Sequence, residues 1–214
     1  MPNVYIYVVD RDFGFAPNPF HNLCTLATCK QITRRVAKIS DWIIGVGGSR
    51  LNSTGRCLFA MEVTEKITFE QYWLDPTYRD KKPIRNGSRK MIVGDNIYSK
   101  VDGNWHQANS HHSNPDGSPN IHNIKNDTRT NAVLVSRNFF YFGSEAIELP
   151  TNILQDLKYK NGRNHRKYSL ASAHALISFL RENFDSNHVY GDPFDFDFAS
   201  ARYSAKTNKV TTEK

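Results

Sequence analysis

The alternation of apolar and polar positions predicts a strand-rich first two-thirds of the chain, followed by helix. VYIYVVD (residues 4–10) is a compact run of aromatic and β-branched residues ending at Asp10, which predicts a buried first strand. That strand delivers RDFGFAPNPF (11–20), where Gly14 and two prolines shape a loop at one edge of the fold. CTLATCKQITRRVAKI continues as a short helix or turn, and Asp41 enters a second strand, Trp42 to Val46, that runs into a tight glycine turn. GRCLFAMEVTEKI (55–67) alternates, with Cys57, Phe59, Met61 and Val63 on one face, and predicts a third strand.

Polar signals then punctuate the chain. Thr68 followed by Gln71 has the capping-box form, so TFEQYW is expected to be a short helix stopped at Asp75-Pro76. Residues 75–90 form a basic excursion, MIVGDNIYSKV (91–101) returns to strand with a break at Gly94-Asp95, and NAVLVSRNFFYFG (131–143) supplies at least one more strand. Helix is expected from Thr151, followed by a basic linker at 160–168. A second helix places Ala173, Leu176, Ile177, Leu180 and Phe184 on one face, with His174 packed partly buried beside them. The polar tail, 201–214, is expected to be disordered.

At 214 residues the chain suits one composite domain, spanning 1–200. Its longest apolar run, Val4 to Val9, is far too short to span a bilayer, and the N-terminus lacks a signal-type pattern, so a soluble cytoplasmic protein without a membrane partner is expected. Three cysteines make no paired framework and are expected as free thiols. A formal charge of +7 suggests a polyanionic partner, against the plain alternative of surface solubility. Three separated basic segments, TRRVAK, YRDKKPIRNGSRK and KNGRNHRK, fit a groove that follows phosphates, although any one of them alone would be an ordinary solvated face.

The candidate chemistry lies in loops. HQANSHHSNPDGSPNIHN (106–123) holds four of the eight histidines. Cys24-x4-Cys29 with His111-His112 has the atoms for a zinc site but the wrong spacing, so no metal is expected, and no motif names a cofactor. A polar loop closing over a ligand fits better, with His111 or His112 contacting phosphate or acting as acid or base; His106 and His122 are bystanders. In RDFGF, Arg11 can fork onto phosphate and Phe13 can stack on a base, unless Asp12 merely tethers Arg11. Ser49 and Arg50 follow the glycine turn. Cys24 and Cys29 lie near Lys30 and Arg34, which could activate a thiol, but packed free thiols are the commoner outcome.

YIYVVDRDFGFAPNPF, CTLATCK, DWIIGVGGSRL, RNGSRKMIVGDNIY, SHHSNPDGS and DPFDF together resemble the nucleotide modification associated domain 2 family, over about residues 3–198. The resemblance implies a setting in bacterial and phage nucleic-acid modification systems, and assigns no reaction. The order of the first strands is similar to that of the PUA-like group with its EVE and ASCH domains, whose compact β-barrels often bind RNA or a modified base. The expected fold is therefore α+β, a mainly antiparallel PUA-like β-barrel or strongly bent sheet with C-terminal helices. The expected role is recognition or processing of a nucleotide or modified nucleobase in a DNA-modification or anti-phage system. Phosphate and base would be held by Arg11, Phe13, Ser49, Arg50, Arg85, Asn86, Ser88 and Asn96. The first alternative is an enzyme that modifies a nucleotide or base using Asp12, Asp95, His111 or His112 as acid–base groups; the second is a non-enzymatic basic adaptor for protein partners.

Overall fold

In the computed structural model, which describes residues 1–212, the N-terminal apolar run forms β1 (Asn3–Val9). Its side chains alternate between two cores. Tyr5, Tyr7 and Val9 pack with Ile43, Phe59 and Tyr141, while Val4 and Ile6 pack with Trp42, Ile44 and Leu176. A strand covered on both faces has no solvated side, which is why its sequence reads as an unbroken apolar run.

The chain continues through β2 (Cys24–Leu26), α1 (Gln31–Val36), β3 (Trp42–Gly47), β4 (Cys57–Glu62), β5 (Glu65–Ile67) and α2 (Phe69–Leu74). There follow α3 (Arg89–Ile92), β6 (Tyr98–Val101), β7 (Asn104–Gln107), α4 (Ile121–Asp127), β8 (Val133–Ser136) and β9 (Phe139–Tyr141). The last elements are α5 (Thr151–Asp156), β10 (His165–Ser169), α6 (His174–Asn183), β11 (His188–Val189), β12 (Arg202–Ser204) and β13 (Lys209–Thr211).

The architecture is mixed α/β. A six-stranded sheet runs β10-β1-β3-β4-β9-β11, with β1–β3 and β9–β11 parallel and the other pairs antiparallel. A second sheet, β2-β8-β5, and the hairpins β6–β7 and β12–β13 complete it. None of these sheets closes into a barrel among the described residues. No helix among them is long and apolar enough to cross a membrane.

Several local expectations hold. Thr68 accepts from the Gln71 N–H while Gln71 reaches back to the Thr68 N–H, a complete capping box on α2. Leu176, Ile177 and Leu180 bury the face of α6 against the large sheet; each such side chain stabilises the fold by about 1.5–3 kcal/mol. The glycine turn is enforced by close approach, since a Cβ on Gly47 would overlap the Ser53 backbone.

Others do not hold. The basic linker at 160–168 instead leads into β10, which pairs with β1 as an edge strand. His174 is exposed rather than packed. The tail expected to be disordered forms the hairpin β12–β13, with Arg202 buried, because its backbone and side chains complete the surroundings of the histidine loop. Its last two residues, 213 and 214, lie outside the described residues.

Candidate functional site

Between β2 and α1 the chain makes an unusual turn. Cys29 and Lys30, neither of them glycine, both have left-handed backbone conformations, with φ of 53° and 35°. Holding a non-glycine residue there costs of order 1–3 kcal/mol and requires surrounding bonds to enforce it. The Cys29 N–H donates to Asp127 Oδ1 at 2.8 Å. Arg34, buried in α1, donates through Nε to the Cys29 carbonyl at 2.9 Å and through a terminal nitrogen to the Asp127 carbonyl at 2.6 Å. One guanidinium thus ties the turn to the end of α4.

The histidine loop meets this turn. It is no solvated connection: His111 is 4% and His112 2% exposed, with Ser110 and Ser113 buried beside them. Gln107 and Asn123 donate to the His112 carbonyl at 3.1 and 2.7 Å, and Asn123 also donates to the Tyr203 carbonyl in β12. His112 Nδ1 lies 2.7 Å from Asp127 Oδ2, which also accepts from the Tyr98 hydroxyl at 2.8 Å. A carboxylate can only accept, so Nδ1 carries a proton and Nε2 is turned the other way, 3.7 Å from Cys29 Sγ.

The adjacent histidines are driven apart electrostatically. Burial opposes charge on His112, but the Asp127 carboxylate and the neighbouring sulfur outweigh it and carry its pKa up to about 10. Burial would raise Asp127, yet His112 and Arg34 hold it below the usual carboxylate range. Burial and the charge of His112 push His111 down to about 3. Its Nδ1–H donates to the Ala201 carbonyl at 2.6 Å, which leaves a neutral ring with a bare Nε2.

These groups open on a cavity of about 290 Å³, at the small end of the range for ligand pockets, about 300–1,000 Å³. Its walls include Phe13, Phe15, Tyr203, Lys30, Asn126 and Gln31. The ring centroids of Phe15 and Tyr203 lie 4.7 and 5.4 Å from that of His112. An adjoining cavity, lined by Ser49, Thr54, Asn161, Gly162 and Arg163, shares Val8, Asp10 and Lys30 with the first.

A family model described as nucleotide modification associated domain 2 matches residues 1–200. The chain belongs to this family. No curated protein and no solved structure matches it. For this member of the nucleotide modification associated domain 2 family, the match ends just before β12, although Tyr203 of that strand lines the cavity.

Of the residues singled out in sequence, the fold brings Arg11, Phe13, His111 and His112 to the histidine-lined cavity and Ser49 to the adjoining one. Arg11 forks onto Asn208 of the tail hairpin, at 3.1 and 2.9 Å, rather than onto Asp12. Asp12 lines neither cavity; burial raises its carboxyl to about 6, and it accepts from the Tyr141 hydroxyl at 2.6 Å. Asp95 is buried beneath β2, accepting from Thr25 and Tyr72 at 2.8 and 2.7 Å, and Asn96 donates to the Tyr72 carbonyl. Arg50, Asn86 and Ser88 are exposed, and Arg85 donates to the Ser200 carbonyl; none of the four lines either cavity.

Two cations of the basic segments are structural. Arg34 satisfies carbonyls, as above, and Lys81 donates to Asn18 and the Leu23 carbonyl, with burial pulling it down to about 8. Asp127, Asn123 and Tyr203 are functional candidates that no sequence motif marks, and Cys29, expected as a packed thiol, joins them at the cavity. Only the basic neighbours of Cys29 signalled it; the aspartate stands 98 positions away in no motif.

Proposed function

We propose that the histidine-lined cavity takes a nucleotide or a modified nucleobase, and that the protein recognises or processes it within a DNA-modification or anti-phage system in the cytoplasm. The observation that carries this reading is the pairing of aromatic walls, Phe13, Phe15 and Tyr203, with a buried His112–Asp127 couple and Lys30. Aromatic rings stack on any base face, and a histidine held by a carboxylate is suited to acid–base work. The adjoining cavity suits the sugar and phosphate, because Ser49, Asn161 and Arg163 line it and Lys30 stands between the two. The family's name agrees with this ligand class. The kinship to PUA-like base readers belongs to the same proposal, as fold analogy alone.

Calorimetric titration with nucleosides, nucleoside monophosphates and short oligonucleotides bearing modified bases tests it. Tyr203 is only partly buried, so Tyr203→Ala should leave the fold intact and weaken binding about 5- to 100-fold through lost stacking. Arg163→Ala should weaken phosphorylated ligands while leaving nucleosides unchanged. Absence of binding, or binding indifferent to Tyr203, would contradict the proposal.

A further inference from the structure

One nucleophilic side chain at this cavity, Cys29, is not used by the recognition proposed above. Cys29 is partly exposed there, whereas Cys24 and Cys57 are buried and burial pushes both thiols up to about 12. Cys29 Sγ stands 3.7 Å from His112 Nε2, and His112 Nδ1 stands 2.7 Å from Asp127 Oδ2. A thiol, an imidazole engaged through both nitrogens and a buried carboxylate, in that order, are the parts of a nucleophilic triad. Such a unit is recognised by geometry, not by sequence order.

Three further features separate it from a chance contact. The thiol is carried on the first of two consecutive left-handed residues, Cys29 and Lys30, a strained presentation of the kind that clusters at reactive sites. Both oxygens of Asp127 are fixed, one by the Cys29 N–H and the other by His112 and the Tyr98 hydroxyl. Arg34 then clamps the carbonyls of Cys29 and Asp127 together. None of this is needed to pack an inert thiol.

We propose that Cys29 is a nucleophile, activated by His112 and positioned through Asp127, that attacks the carbonyl carbon of an amide or ester carried by the nucleotide or base and passes the acyl group to water. The identity of the carrier rests on the nucleotide reading above; the triad does not. The one proton shared by Sγ and Nε2 resides on His112 as the S–C bond forms and the C=O electron pair moves to oxygen. Gln31 and Asn126 line the same cavity and carry amide N–H groups of the kind that oxygen would accept from. On collapse the C–N or C–O bond breaks, His112 returns the proton to the departing amine or alcohol, and a thioester remains on Cys29. His112 next takes a proton from water as the water oxygen adds to the thioester carbon. The C–S bond then breaks, sulfur shares the returned proton with His112, and a carboxylic acid leaves. No atom changes oxidation state, so water is the sole co-reactant.

The test uses the intact protein. Iodoacetamide alkylation is followed by peptide mass spectrometry, and 4-nitrophenyl acetate serves as the acyl donor. Cys29 should alkylate at least about tenfold faster than N-acetylcysteine at neutral pH, while Cys24 and Cys57 stay unmodified. Asp127→Asn should slow it about tenfold or more, and Tyr98→Phe, which keeps the ring and the packing, should slow it less. The acetyl group should be found on Cys29, and in Cys29→Ala nitrophenol release should fall to background. A Cys29 no faster than N-acetylcysteine, equal rates in wild type and Tyr98→Phe, or acetyl found on Lys30 with Cys29 unmodified overturns the triad. Calorimetry on Cys29→Ala separates the two proposals. Nucleotide binding with an inert wild-type Cys29 overturns only the nucleophile, and a fast Cys29 without nucleotide binding overturns only the carrier.

Discussion

His111 and His112 are neighbours in sequence with opposite charge preferences, and the difference comes from what each faces. His112 faces a carboxylate and stays protonated, while His111 faces a backbone carbonyl, Arg85, Arg202 and His112 itself, and stays neutral. Because the folded pKa of His111, about 3, lies below its ordinary 6.5, the unfolded chain takes up a proton that the folded chain refuses. Its contribution is therefore complete above about pH 6.5 and lost as the pH falls toward 3. His112 acts in the other direction, with stabilisation present below 6.5 and lost as the pH rises toward about 10. Urea unfolding of wild type and His111→Gln across pH 4–7 should show the variant losing less stability on the acid side. Parallel curves would mean that His111 titrates freely.

At the scale of elements, the tail hairpin governs the site's wall. The Ala201 carbonyl accepts from His111, the Tyr203 N–H donates to the His111 carbonyl at 2.8 Å, and Arg202 donates to Asn109 and the Ser110 carbonyl. Deleting residues 201–214 should therefore lower the melting temperature and raise hydrogen exchange at residues 110–113, with β1 and β3 still protected. Unchanged exchange in that loop would mean that the hairpin is dispensable. The elements that sequence made legible were those whose signal is local: the apolar run of β1, the Thr68–Gln71 cap and the buried stripe of α6. What escaped were non-local demands. Arg34 and Lys81 read as surface charge, but irregular loops at 27–30 and 18–23 expose carbonyls that need buried donors, and nothing local announces that need. The histidine pair stood out, yet the Asp127 carboxylate that splits its two pKa values belongs to α4, and the carbonyl that engages His111, Ala201, lies just before β12, far along the chain.

At the scale of the molecule, two cavities sit beside the ends of the parallel strands β1 and β3, where Asp10 and Gly48-Ser49 leave the large sheet. Ligands of open α/β sheets gather at carboxyl ends of strands for the same reason: side chains and loops converge there without disturbing the core. A charge of +7 draws phosphates toward such a surface even with Arg34 and Lys81 committed to the interior. The proposed nucleotide cavity and the proposed nucleophile share one wall, and one measurement addresses both: the rate of Cys29 alkylation by iodoacetamide against increasing concentrations of nucleoside monophosphates and modified-base oligonucleotides. Saturable protection by at least one nucleotide, absent with ribose 5-phosphate or inorganic phosphate, is the expected result. Rapid alkylation that no nucleotide slows would contradict it.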